Sequence, residues 1–165
     1  MEPCRSLALF AGSLALVCML VALSTNFWIV AIGSTSSAHT GLWPSEGSVA
    51  AGYIHVTEGF SIMAALWVLV SMVILLLSFF IPLLSAPGHG PLVSAITAFA
   101  AVLFMTVAMA VYTSERWGQV PEPHIQAFFG WSFYLGWVSV LFSLCAGALT
   151  LGAHCSARQS GYEAV

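Results

Sequence analysis

The sequence has no lysine, no aspartate, a single asparagine and only three basic side chains, Arg5, Arg116 and Arg158. Each scarcity excludes something. Without Asp there is no Ser/His/Asp triad, and without Lys there is no Schiff-base nucleophile. Three arginines cannot supply the dense cationic footprint that nucleic acid requires, so no nucleic-acid partner is expected. Asn26 is followed by Phe27-Trp28, so no N-glycosylation sequon exists. Charged residues make up 5% of the 165, against about a quarter in soluble domains. Such a chain cannot cover a soluble globule with charge.

What it has in excess is apolar side chains, 60% of the total, with a mean hydropathy of +0.99. They fall into four runs, at about 7–23, 60–84, 92–112 and 128–151. Each is close to the roughly 20 residues needed to cross a bilayer as a helix. None contains Asp, Glu, Lys, Arg or His. The expected fold is an all-α membrane protein, a single four-transmembrane-helix bundle over 1–165. Its loops are 24–59, 85–91 and 113–127, and its tail is 152–165. Residues 1–24 also fit a signal peptide, with Arg5, an apolar stretch and Ala22-Leu23-Ser24 as a cleavage site. Cleavage would leave three spans, and composition alone leaves both readings open.

Four spans put both termini on one side, together with Arg5 and Arg158, while Arg116 lies on the other. The positive-inside rule then makes both termini cytosolic. The first non-cytosolic loop is the only sizeable folded material outside the membrane. Phe27-Trp28-Ile29-Val30 reads as a strand, Gly33-Ser34-Thr35-Ser36-Ser37 as a turn, and 38–43 as a second strand ended by Pro44. A small antiparallel β-sheet from this loop is expected to sit on the helix ends. Trp28, Trp43, Trp117 and Trp131 fall near span boundaries and suit an interfacial aromatic belt. Small residues recur at helical spacing, Ala8/Gly12 and Ala11/Ala15 in the first span and Ser139/Ser143/Gly147 in the fourth. They predict close packing inside the bundle.

The sites for chemistry are few. Pumps and proton-coupled transporters keep ionisable groups inside the membrane, and the runs have none. No catalytic residue, cofactor or metal is expected, so the chain reads as no enzyme. A small transporter or channel subunit with a Ser/Thr-lined pore stays open as an alternative. His39, His55 and His124 share the non-cytosolic side with Glu46, Glu58, Glu115, Glu122 and Arg116. Protonation of the three would bring those loops near neutrality, so they are candidates for pH response. Cys18 and Cys145 lie within spans and read as core-packing thiols, whereas Cys4 and Cys155 flank spans on the cytosolic side. Cys4 and Cys155 are candidates for palmitoylation, with inert thiols as the alternative. Neither non-cytosolic loop has a cysteine, so no disulfide staples the sheet.

The tail ends Gly161-Tyr162-Glu163-Ala164-Val165. Tyr-x-x-apolar is the pattern that the medium chain of clathrin adaptors reads as an extended strand, with pockets for Tyr162 and Val165. The competing reading is a PDZ ligand anchored by Val165 and its carboxylate. The tail is expected to lack regular structure.

Trp28, followed by Gly41-Leu42-Trp43 in the first loop of a four-span chain, resembles the claudin and peripheral myelin protein superfamily. The resemblance implies that Trp28, Gly41, Leu42 and Trp43 anchor the loop sheet at the membrane surface and that the first span is retained. The two cysteines that follow this motif in claudins are absent and the loop is shorter, which counts against paracellular sealing. Tyr53-Ile54-His55-Val56-Thr57, the stretch from Ala110 to Trp117 and the stretch from Trp131 to Ser139 are similar to a branch of the superfamily found in the granule membranes of killer lymphocytes. That likeness implies residence in cytolytic granules, other granule membrane proteins and membrane lipids as surroundings, and a role in granule exocytosis. A claudin-like adhesion or junction protein of the plasma membrane is the alternative.

Overall fold

The computed structural model describes residues 2–33, 37–43, 52–81, 89–118 and 126–163. The chain runs α1 (Glu2–Ser24), β1 (Ile29–Ile32), β2 (Ser37–Thr40), α2 (Gly52–Phe80), α3 (His89–Trp117), β3 (Gln126–Phe129) and α4 (Trp131–Glu163). All four helices are long and apolar enough to cross a membrane. Going round the bundle, α1 packs on α4, α4 on α3 and α3 on α2, while α1 and α2 meet more sparsely. The sheet caps one end, and the start of α1 and the end of α4 lie at the other.

The faces turned inward are small or hydroxylated. On α1 they are Ala8, Ala11, Ala15, Met19 and Ala22, and on α2 Ser61, Ala64, Val68, Ser71, Leu75 and Ser78. Larger side chains such as Phe10, Leu103 and Leu141 point outward and are more than 60% exposed. This inverts the soluble pattern for a physical reason. Lipid tails are as apolar as a core, so helices associate through close approach and hydrogen bonds rather than by hiding Leu and Phe. Ala8, Ala11, Ala15, Ser139 and Ser143 are all buried in this way, and Gly12 sits against Met72 and Ala146. Cys145 is exposed and Cys18 half-buried. Cys145 is therefore not a core thiol, because α4 turns Ser143, Ala146 and Thr150 inward instead.

Among the described residues most buried hydroxyls have an acceptor, Ser61 and Ser143 being exceptions. Ser71 Oγ donates to the Ser94 carbonyl at 2.7 Å, and Ser94 Oγ donates back to the Ser71 carbonyl at 2.9 Å. This reciprocal clasp joins α2 to α3. Ser13, Ser139 and Thr150 bond carbonyls three or four residues earlier in their own helices. A bilayer core without bulk water leaves such groups only the protein or an ordered water as partners. At the terminal end Arg5 donates to Ser78 Oγ and stacks over the Phe79 ring, 4.3 Å from its centroid.

The sheet has three strands in the order β2-β1-β3, all antiparallel. The expected pair is present as β1 and β2, starting and ending a little apart from 27–30 and 38–43. The third strand was not expected. It comes from the second loop, and Ile29 pairs with both Thr40 and Phe129. The helices also outrun the apolar stretches. α2 begins at Gly52 rather than near 60, and α3 continues to Trp117 rather than ending near 112. Consequently Glu58 and His55 lie on a helix, not in a loop. The expected turn residues at 34–36 and at 85–88, with Pro44 and His124, lie outside the described residues.

Candidate functional site

The most organised constellation is where α1 ends beneath the sheet. A helix leaves its last four carbonyls without helical partners, and here side chains supply donors. Thr25 Oγ1 bonds the Val21 carbonyl at 2.6 Å. The Trp28 indole Nε1 donates to the Ala22 carbonyl at 2.7 Å, and the Trp43 indole Nε1 to the Leu23 carbonyl at 2.6 Å. The two tryptophans thus cap consecutive carbonyls of α1. They do it from different environments. Trp28 is fully buried, edge-on to Tyr112 at 4.9 Å and Phe133 at 6.2 Å, while Trp43 is 48% exposed.

Trp28 is thus not part of an interfacial belt. It is the centre of an aromatic core that Phe129, stacked on Phe133 at 4.2 Å, and Tyr53, 6.0 Å from Tyr112, extend to β3 and α2. Trp43, Trp117 and Trp131 are exposed near the sheet end, as belt residues are. Leu42 between the capping groups is fully buried. Gly41 is required by space: a Cβ there would come 2.4 Å from Asn26 Oδ1 and 2.8 Å from Asn26 Cα. Gly130 is under the same constraint, since its Cβ would fall 1.9 Å from the Phe27 carbonyl oxygen. Its N–H donates to the Trp28 carbonyl at 2.8 Å, and the Ser132 N–H donates to the Phe27 carbonyl at 3.3 Å. Thr25 Oγ1 and Ser132 Oγ meet at 2.7 Å. One short segment, 25–28, therefore ends α1, feeds β1 and starts α4.

His39 and His55 have separate surroundings, and His124 lies outside the described residues. His39 is on β2, its ring 4.5 Å from Phe27, which in turn lies 5.7 Å from Trp131. His55 is mostly exposed on α2 and pairs with Glu58 one turn deeper, Nδ1 to Oε2 at 3.1 Å. Glu58 is nearly buried, and its other oxygen, Oε1, has no hydrogen-bond partner. Sequence reading missed this pair, although the i, i+3 spacing of His55 and Glu58 was visible once the segment was taken as helix. Among the described residues no group of three or more His, Cys, Asp and Glu could hold a metal ion.

At the terminal end Cys4 is half-buried and Cys155 exposed, and all four cysteines are free thiols. The tail differs from expectation. α4 continues through Gly161 and Tyr162 to Glu163, while Val165 lies outside the described residues. An adaptor that reads an extended strand would first have to unwind the last turn of α4. A helix end frays easily, and Gly161 lowers helix propensity there.

Four membrane-length helices, a three-stranded sheet and a Trp/Gly-Leu-Trp cap define an architecture that the sequence also matches. The PMP-22/EMP/MP20/Claudin family matches residues 6–150. The chain belongs to this family. Within it, the sequence is 64% identical to Protein NKG7 of Homo sapiens and 63% identical to Protein NKG7 of Mus musculus, each over 164 residues and 99% of both chains. It is 28% identical to Lens fiber membrane intrinsic protein of Homo sapiens over 155 residues, 88% of both chains. This PMP-22/EMP/MP20/Claudin member is therefore a multi-pass membrane protein whose helix cap is built from the residues that carry the family resemblance.

Proposed function

We propose that this protein is a non-enzymatic component of cytolytic granule membranes in killer lymphocytes that supports granule exocytosis and target-cell killing. The observation that carries this reading is the end-to-end similarity to Protein NKG7 of Homo sapiens, together with the resemblance to the granule branch in 53–57, 110–117 and 131–139. Both termini are cytosolic in this reading. The tail supplies the address, with Tyr162 and Val165 captured by a clathrin adaptor medium chain once the end of α4 unwinds. The protein then reaches the plasma membrane when granules fuse. Its bundle suits a scaffold better than a pore, because most interior hydroxyls are spent on carbonyls of their own or neighbouring helices.

The test has two parts. In lymphocytes lacking the protein, degranulation and target killing fall, and the wild-type chain restores them. Failure of restoration rejects the granule function. Loss of an aromatic side chain from an adaptor pocket costs about 2 kcal/mol, roughly thirtyfold in affinity. Tyr162→Ala accordingly moves the protein from granules to the plasma membrane, scored by colocalisation with a lysosomal marker. A few residues appended after Val165 leave that distribution unchanged. Granule targeting that survives Tyr162→Ala rejects the tail as the address, and mislocalisation by the appended residues points to a PDZ-type contact.

A further inference from the structure

Ser143 differs from the other buried hydroxyls of α4. It is 2% exposed, yet its Oγ has no hydrogen-bond partner. Ser139 and Thr150, on the same inward face, donate to the carbonyls of Gly136 and Ala146. Beside Ser143 is a small cavity to which all four helices contribute, with Ala8 and Gly12 from α1, Ser71 from α2, Ala98 from α3 and Thr150 from α4. It has room for about one water molecule.

We propose that this cavity is a binding site for one structural water, held by Ser143 Oγ, Thr150 Oγ1 and Ser71 Oγ. The proton count closes. Ser71 and Thr150 have already donated their hydroxyl protons to the Ser94 and Ala146 carbonyls, so their oxygens offer lone pairs. Ser143 still has its proton to give. The water accepts from Ser143 and donates to Ser71 and Thr150, which is the usual count of three bonds for a buried water. An apolar occupant would leave Ser143 unsatisfied. An ion would find no countercharge, because no charged residue lines the cavity.

The placement gives the water a mechanical role. α2 and α4 lie diagonally across the bundle and, among the described residues, barely touch. Ser71 is on one and Ser143 and Thr150 on the other, so the water ties together a diagonal pair of helices that direct packing leaves apart. Small neighbours at Ala8, Gly12 and Ala98 keep the space open.

The experiment is thermal unfolding of the full chain in lipid nanodiscs, for Ser143→Ala, Thr150→Val and the double variant. A bound water predicts that each single change lowers Tm by a few degrees. The double variant then loses little more than the worse single one, because either change releases the same water. Ser143→Ala that leaves Tm unchanged or raises it means a dry cavity and overturns the proposal, as do strictly additive losses. A high-resolution density map gives a second readout that does not depend on a variant folding. A peak within hydrogen-bond reach of Ser143 Oγ and Thr150 Oγ1 supports the site. A dry cavity, with Ser143 Oγ turned onto the Ser139 carbonyl, overturns it.

Discussion

Trp28→Phe separates the indole's hydrogen bond from its bulk. Phenylalanine keeps a ring against Tyr112 and Phe133 but removes the Nε1–H that caps the Ala22 carbonyl at 2.7 Å. Trp28 is fully buried, so water has no ready access to replace that donor. Leaving a buried acceptor unpaired costs about 1–3 kcal/mol, and the unfilled part of the indole site adds about 1 kcal/mol. The sum is about 2–4 kcal/mol. For a chain of this size 1 kcal/mol corresponds to about 2–4 °C, so Tm falls by about 4–16 °C. Trp43→Phe removes the neighbouring cap on Leu23, but Trp43 is half-exposed and water can take over. Its cost is about 0.5–1.5 kcal/mol. Trp28→Ala loses the packing as well and costs about 3–5 kcal/mol. The assay is thermal unfolding of the three variants in one detergent, followed by loss of monodisperse protein. A Trp28→Phe variant as stable as wild type, or Trp43→Phe as damaging as Trp28→Phe, would refute the cap.

Three further outcomes follow from the same geometry. Gly130→Ala forces a Cβ onto the Phe27 carbonyl and costs about 1–3 kcal/mol as overpacking; a thermal melt indistinguishable from wild type would show that the junction yields freely. In the Ser71/Ser94 clasp, the double-mutant cycle to alanine yields a coupling of about 0.6–1.7 kcal/mol, and zero coupling would mean the two bonds are independent of the helix pair. On the positive-inside reading of Arg5 and Arg158 against Arg116, epitope tags at either terminus are expected to become accessible only after permeabilisation; staining of an N-terminal tag on intact cells rules out that orientation.

The spans were legible because a bilayer imposes a length, and four uncharged runs met it. The ends of the helices were not. Tyr53-Ile54-His55-Val56-Thr57-Glu58 looks too polar for a span, yet it is the first part of α2. At this end the helix is covered by protein, so Thr57 and Glu58 are buried without an apolar signature. Two strands were readable from β-branched and aromatic residues next to a turn. The third was hidden because Ala127-Phe128-Phe129 merges with the apolar run of the last span, and only Gly130 separates them. The inward faces were partly legible: Ala8, Ala11, Ser139 and Ser143 gave themselves away by size. Cys145 did not, because apolarity alone cannot tell a lipid-facing position from a core one. For the Trp/Gly-Leu-Trp motif, resemblance singled out the residues as anchors of the loop sheet at the membrane surface, while the indole-to-carbonyl caps on α1 required coordinates.

The strand order also bears on how the protein is made. β1 is central, and its pairing with β3 joins Ile29 to Phe129, one hundred positions later. During synthesis β1 emerges first and can pair with β2, but its other edge must wait for β3. Ser132 and Gly130, which bond the Phe27 and Trp28 carbonyls, arrive later still. Completion of the sheet therefore reports that the chain has been made as far as the second loop, and the Ser132 bond that the last helix has begun. A chain cut short before Gln126 lacks β3 and shows an unpaired strand edge, the surface on which chains aggregate. The sheet thus ties the first loop to the second, and a chain whose second loop has not yet reached the first is marked by that open edge.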